Sequence, residues 1–309
     1  MPSVALPSEE VDLVRRFKQG ETHQYEFYSK VVHERREAIL VTFVPFVSEV
    51  RYEFTLVTEK EKPEGTADLR FRRGPINLRI AATFDEPAKT QKISDERNIL
   101  FTLSPKNRVL AIKDETPKKP PSKPPKPLLA FPSPLQLDIG GWTSQMVRLS
   151  AFVGFLDFGP QLPLKKVKVG DSWFETVGDT PVTVSEGPNK DKMIVGRLDY
   201  KYVYKGETTV DGRRMVWIQG TLEQDTDAGK FLADILEIDV EQSPIPKVPL
   251  KMKATVNYYL EPDSLLLYKA EAEFEGYAAV YLKQFDDERA YEEDRFTSKA
   301  TLVRKARNP

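Results

Sequence analysis

In "LLYKAEAEFEG", residues 266–276, apolar and charged side chains alternate without a break. Leu266, Tyr268, Ala270, Ala272 and Phe274 fall on one side of an extended chain, and Lys269, Glu271, Glu273 and Glu275 fall on the other. A helix of 3.6 residues per turn would scatter both sets around its circumference, whereas a strand separates them cleanly. The same two-residue period runs through "RYEFTLVT" at 51–58 and "INLRIAA" at 76–82, which place Tyr52, Phe54 and Leu56, and Ile76, Leu78 and Ile80, on one face. The pattern predicts antiparallel sheets with one buried and one wet face.

Turn chemistry divides these strands. Asp211-Gly212 is a two-residue hairpin signal between "RLDYKYVY" and "RMVWIQGTL". Glu261-Pro262-Asp263-Ser264 separates "ATVNYYL" from the long alternating strand, and "YAAVYL" and "FTSKATLV" extend the meander. "AILVTFVPFV" is apolar on both faces, as a doubly covered strand would be, with Pro45 predicting a kink or bulge near its end.

Two stretches break the strand pattern. "PKKPPSKPPKP" at 117–127 holds six prolines and four lysines, so it cannot join a ladder and reads as a polyproline-type spacer or exposed loop. Pro121 and Pro124 also make a PxxP with basic neighbours, the sequence form of a docking peptide for a protein partner. Beyond it, Trp142, Met146, Leu149, Phe152, Val153 and Leu156 recur at helical spacing until Gly159-Pro160 ends the run. Phe155 and Phe158 widen the apolar stripe, so this helix must be wrapped by a sheet or covered by a partner. "DAGKFLADILE" reads as a second, short helix capped by Thr226 or Asp227.

The chain also repeats itself. Lys18-Gln19-Gly20-Glu21-Thr22 and Lys168-Val169-Gly170-Asp171-Ser172 each set a Lys two residues before a Gly, then an acid and a hydroxyl residue. Glycine at positive φ followed by short polar side chains is the chemistry of a tight turn into a strand. Its recurrence suggests two modules that begin alike.

Composition narrows the function classes. With 46 basic and 47 acidic side chains the net charge is −1, so no bulk field draws the chain to nucleic acid or to an anionic membrane. Cysteine is absent, which removes disulfides, thiol nucleophiles and thiolate metal sites. No apolar run reaches the length of a transmembrane helix, and "MPSVALPSEEVD" lacks the basic and apolar regions of a signal peptide. No cofactor or metal is expected.

Catalytic signatures are equally sparse. The two histidines, His23 and His33, lie on the same face of one strand about 30 Å apart at the extended rise, and read as surface residues. Glycoside-type carboxylate chemistry could draw on "FDDERAYEEDR", but Asp286, Asp287, Glu292, Glu293 and Asp294 read better as a solvated hairpin end. Composition leaves a Ser-His-Asp arrangement open, although no G-x-S-x-G elbow, H-E-x-x-H or phosphate loop is present. Tyr200, Tyr202 and Tyr204 read as core or sheet surface rather than a stacking platform for bases or sugars.

"FGPQLPLKKVKVGDSW" at 158–173 resembles the hinge of an uncharacterised family of bacterial exported or lipoprotein-type proteins, a domain of unknown function. The resemblance rests on Leu162, Pro163, Val167, Gly170, Asp171, Ser172 and Trp173, with Phe17, Lys18, Gly20 and Tyr25 matching the opening turn of the first half. It implies a periplasmic or cell-envelope location and carries no functional residues. With no signal peptide expected in the chain, a cytoplasmic location stays open.

These observations predict a mainly β protein of two related antiparallel, curved sheets or half-barrels, with one long apolar helix between or inside them. Residues 10–115 form an N-terminal β module, 116–135 a Pro/Lys-rich linker or loop, 136–160 the apolar helix and 161–305 a C-terminal β module. The expected function is non-catalytic binding of a lipid or other apolar ligand, with Trp142, Phe152, Phe155 and Phe158 as contacts. The alternatives are an interaction or scaffold module without small ligand, its partner met through the Pro/Lys segment, and thirdly a carboxylate hydrolase.

Overall fold

The computed structural model describes residues 9–37, 42–82, 88–94, 96–117, 159–178, 182–183, 193–194, 197–227, 229, 241, 245, 247–283 and 289–306. The predicted apolar helix of 136–160 lies outside them but for Gly159 and Pro160, as do most of the Pro/Lys tract and most of "DAGKFLADILE". At the start of that short segment Asp227 Oδ1 accepts a hydrogen bond from the Gly229 amide at 2.8 Å, the bond expected of a capping side chain.

Every element with described bounds is a strand. They are β1 (Thr22–Glu37), β2 (Val44–Glu61), β3 (Ala67–Arg73), β4 (Ile76–Ala82), β5 (Lys89–Ile93), β6 (Arg97–Leu103) and β7 (Val109–Asp114) in the N-terminal half. The C-terminal half holds β8 (Ser172–Gly178), β9 (Val182–Thr183), β10 (Met193–Ile194), β11 (Arg197–Val210), β12 (Arg213–Asp227), β13 (Pro249–Leu260), β14 (Leu267–Val280) and β15 (Glu292–Arg304).

Thirteen of these strands form one open antiparallel sheet in the order β7-β6-β3-β2-β1-β15-β14-β13-β12-β11-β8, with β4 and β5 branching from β2. The two predicted sheets are therefore joined, because β1 ladders with β15 from Tyr25↔Arg304 to Glu37↔Glu292. Both are long edge strands of their own halves, and pairing them satisfies main-chain groups that either sheet alone would leave to solvent. The last four residues of "AILVTFVPFV", from Val44, share one strand, β2, with "RYEFTLVT", and Pro45 stands near its start in unbroken register opposite Glu34, where a kink or bulge was expected. A strand's first residues are where a missing main-chain donor is tolerated.

The two Gly-acid-hydroxyl turns make the same bonds. In the first, the Glu21 amide donates to Lys18 O, the Gly20 amide donates to Thr58 O and the Thr58 amide donates to Glu21 O. In the second, Asp171 donates to Lys168 O, Gly170 to Tyr204 O and Tyr204 to Asp171 O. Gly20 (φ 81°) and Gly170 (φ 94°) supply the left-handed backbone that each turn requires. The partner strands also irregularise at matching points, between Thr58 and Lys60 in β2 and between Tyr204 and Gly206 in β11.

A second pair of turns corresponds. β6 leads into β7 through Ser104-Pro105-Lys106-Asn107-Arg108, and β13 leads into β14 through Glu261-Pro262-Asp263-Ser264-Leu265-Leu266, with positive φ at Asn107 (62°) and Leu265 (51°). The segments leading into β1 and β8 cross above these turns, joined to each other by Val11 and Val167, which exchange main-chain bonds of 2.9 and 3.0 Å. The Arg16 amide then donates to Ser264 O and the Leu162 amide to Lys106 O. Lead-in and turn thus bond across the two halves in both directions. The Asp211-Gly212 hairpin is as the sequence predicts, with φ of 51° and 75°.

Candidate ligand-binding face

The side chains that alternate inward along the eleven-strand path make one continuous apolar face. Tyr25 and Phe27 of β1 stack on Phe54 and Tyr52 of β2, with ring centroids 5.0 and 4.6 Å apart. Phe54 leans on Phe71, and Phe71 meets Phe101 edge-on. In the C-terminal half Trp173 stacks on Tyr202, and Tyr200 on Tyr202. Gly220 lets Tyr202 and Tyr258 close over β12, since a Cβ there would stand 3.0 Å from the Tyr202 ring. Of the two placements the sequence left open, core and sheet surface, Tyr200, Tyr202 and Tyr204 take the core. Burial raises the Tyr25 hydroxyl to about pKa 12, while Arg15 pulls it back. Its Oη donates to Leu267 O at 2.9 Å.

Farther along, the same inward face turns polar. Ser29 and Ser298 share a hydrogen bond of 3.1 Å. His33 Nδ1 lies 3.2 Å from Asp294 Oδ2, and Ser48 Oγ lies 3.4 Å from His33 Nε2. Arg35 pairs with Glu292 at 2.9 Å, and His33 stacks on Phe46 with centroids 4.3 Å apart. The strands β2, β1 and β15 thereby assemble a Ser-His-Asp arrangement that no local motif announced. His33 and Ser48 are fully buried and Asp294 is 4% exposed, so three polar groups satisfy one another inside the sheet. Ser48 is laddered to Val31 on one side and Ile80 on the other, which engages the local strand amides an oxyanion would need.

Several sequence readings change here. His33 is a core residue and not a surface one, because the inward face of β1 continues under β2 and β15. Glu292 and Asp294 are buried strand residues rather than a solvated hairpin end, since β15 begins at Glu292. Asp286 and Asp287 lie outside the described residues, and so do the four predicted ligand contacts Trp142, Phe152, Phe155 and Phe158. Among the described residues no group of three His, Asp or Glu could hold a metal ion. No described helix is long and apolar enough to cross a membrane. A hollow of about 670 Å³ is lined by Val32, Lys253, Glu275, Tyr277, Arg295 and Phe296 among others, a mixture of charged and apolar side chains.

No protein-family model matches the chain, and no curated protein matches it. Among solved structures it is similar to lipovitellin, in a structure titled for its lipid–protein interactions, at 12% identity and a TM-score of 0.43. That match covers 94% of this chain and 26% of the other, so this chain spans about a quarter of the lipovitellin chain. It is similar to DynF from the dynemicin biosynthesis pathway of Micromonospora chersina, at 6% identity and TM-score 0.23, covering 98% and 90% of the two chains. A third similar structure is a DUF1329 family protein from Desulfovibrio piger, at 10% identity and TM-score 0.14, covering 92% and 87%.

Proposed function

We propose that this chain is a non-catalytic binding protein of the bacterial cell envelope and that its ligand is a lipid or another apolar molecule. One observation supports the reading above the rest: the inward aromatic and aliphatic face runs unbroken from β6 to β8 across both halves. Apolar surface of that extent stabilises whatever covers it by roughly 25 cal/mol per Å² removed from water. Between its two edge strands, β7 and β8, no ladder is described, and the Arg108–Glu175 ion pair links them at one end. An apolar ligand could reach the face by parting that seam. The envelope location rests on the resemblance of the 158–173 hinge. The non-catalytic part rests on the burial of Ser48, His33 and Asp294, the one nucleophile-base-acid arrangement we found among the described residues.

The test is denaturing extraction and mass spectrometry of protein purified natively from its own host. A stoichiometric apolar molecule is the expected result. Folded, monomeric protein that yields none would sink the reading and turn attention to the interaction-module alternative.

A further inference from the structure

We propose that the buried guanidinium of Arg15 holds the head of the ligand, and that the ligand is an acyl chain ending in a carboxylate, a free fatty acid. This rests on the reading of the inward face as a lipid site and adds the chemical class of the lipid.

Arg15 stands in a line of core residues. Along the lead-in to β1, Val11, Leu13 and Phe17 pack into the apolar cluster and Arg15 is buried between them, while Asp12, Arg16 and Lys18 are exposed. A cation needed only for solubility has position 16, one residue on. The glycine turn does not require a buried one either. Lys165, which precedes Gly170 by five residues as Arg15 precedes Gly20, is exposed.

The buried charge is not balanced by the side chains around it. Arg15 is 3% exposed, and its Nη1 donates to Asn107 Oδ1 at 2.7 Å. Asn107 is neutral and spends its own Nδ2 on Pro160 O, and the Phe17 ring lies 4.9 Å from the guanidinium carbon. Among the described residues no carboxylate pairs with Arg15. Burial pulls its pKa down to about 10, and the Tyr25 hydroxyl acts in the opposite direction. That hydroxyl feels Arg15, Arg304 and Glu261, and Glu261 is already bonded to Arg304 and Ser264. Two guanidiniums and one carboxylate leave one positive charge over, at Arg15. An unpaired buried charge is costly, and a carboxylate accepting from the guanidinium fork removes that cost.

The place also selects the rest of the molecule. Leu13, Tyr25, Leu162 and Val167, around the crossing of the lead-ins, belong to the same apolar cluster as the sheet face. An acyl chain whose head bonds to Arg15 therefore meets apolar surface from its first methylenes onward. A single uncompensated cation matches a head of one negative charge, and Arg304, being paired, is not available to a second.

The probes are [1-13C]laurate and 1-dodecanol, the same chain without the charge, each brought to equilibrium dialysis with the full chain. Laurate should bind at least about tenfold more tightly, the effect of one hydrogen-bonded charge pair. Arg15→Met, which keeps the volume and removes the charge, should bring the two to within about twofold while circular dichroism stays that of the parent. The bound carboxyl resonance should stay that of the ionised form at a pH where free laurate is protonated, because a neighbouring cation favours the anion. Equal binding of laurate and dodecanol by the parent overturns the role of Arg15 and leaves the apolar-ligand reading standing; binding of neither overturns both. A preference for laurate that Arg15→Met retains overturns the proposal, as does acetate binding as tightly as laurate, which would mark a free-anion site. Should Arg15→Met fail to fold, the parent's preference and the carboxyl titration decide.

Discussion

Phe296 of β15 lies directly over Gly276 of β14, so close that a Cβ on residue 276 would sit 2.2 Å from the ring's Cζ. The two are register partners, and the ring covers a stretch of β14 that has no side chain of its own. Gly276→Ala should therefore destabilise by about 1–3 kcal/mol, the usual effect of overpacking. Adding Phe296→Ala should recover part of that loss, because the clash goes with the ring. Urea denaturation of the two single variants and the double variant measures the coupling. Additive losses would show that the ring is not the obstacle.

Asp294 should be the most sensitive member of the buried polar set. Asp294→Ala leaves His33, fully buried and stacked on Phe46, without its carboxylate partner. Leaving a buried donor or acceptor unsatisfied typically costs about 1–3 kcal/mol. Ser48→Ala removes only a 3.4 Å contact and should cost about 1 kcal/mol. Denaturant midpoints order the two, and an equal effect would show that the network is not centred on the carboxylate.

Gly20 and Gly170 should respond alike. Both hold positive φ, and a Cβ on either would meet nothing within 4 Å. The penalty for alanine is then backbone strain alone, about 1–2 kcal/mol at each site. Matching thermal shifts in Gly20→Ala and Gly170→Ala are expected. A much larger loss at one of them would mean that the two turns carry different loads.

Alkaline pH should weaken the fold through Tyr25. Its hydroxyl is held at about pKa 12 by burial, against 10.0 for the free side chain. Between these values the unfolded chain has released the proton while the folded chain retains it, so the unfolded state binds fewer protons and stability falls as pH rises. Two pKa units correspond to roughly 3 kcal/mol. Burial also raises Tyr52, which adds to the slope. Denaturant midpoints from pH 8 upward, compared between parent and Tyr25→Phe, isolate the contribution. Parallel profiles above pH 10 would refute it.

Much of the sheet is legible in the order of residues. The alternation at 266–276 places Ala270, Ala272 and Phe274 on the buried face of β14, and Asp211-Gly212 makes the expected hairpin. The paired glycine turns are legible too, since a positive-φ requirement is local chemistry. The candidate site is less so. His33 and Ser48 are 15 residues apart and Asp294 lies 261 residues beyond His33, so no spacing within one segment could announce their meeting. The buried state of Glu292 and Asp294 was hidden for the same reason, as acidic runs ordinarily lie in solvent.

By itself the sequence determined the period-two strands, the turns that separate them and the apolar face they share, because each depends on neighbours a few residues away. The tertiary structure alone decided that the halves form one sheet, that β15 lies between β14 and β1, and that β7 and β8 remain its edges. Strand partners are chosen by register and by burial of main-chain groups over hundreds of residues, and neither is written in any local pattern.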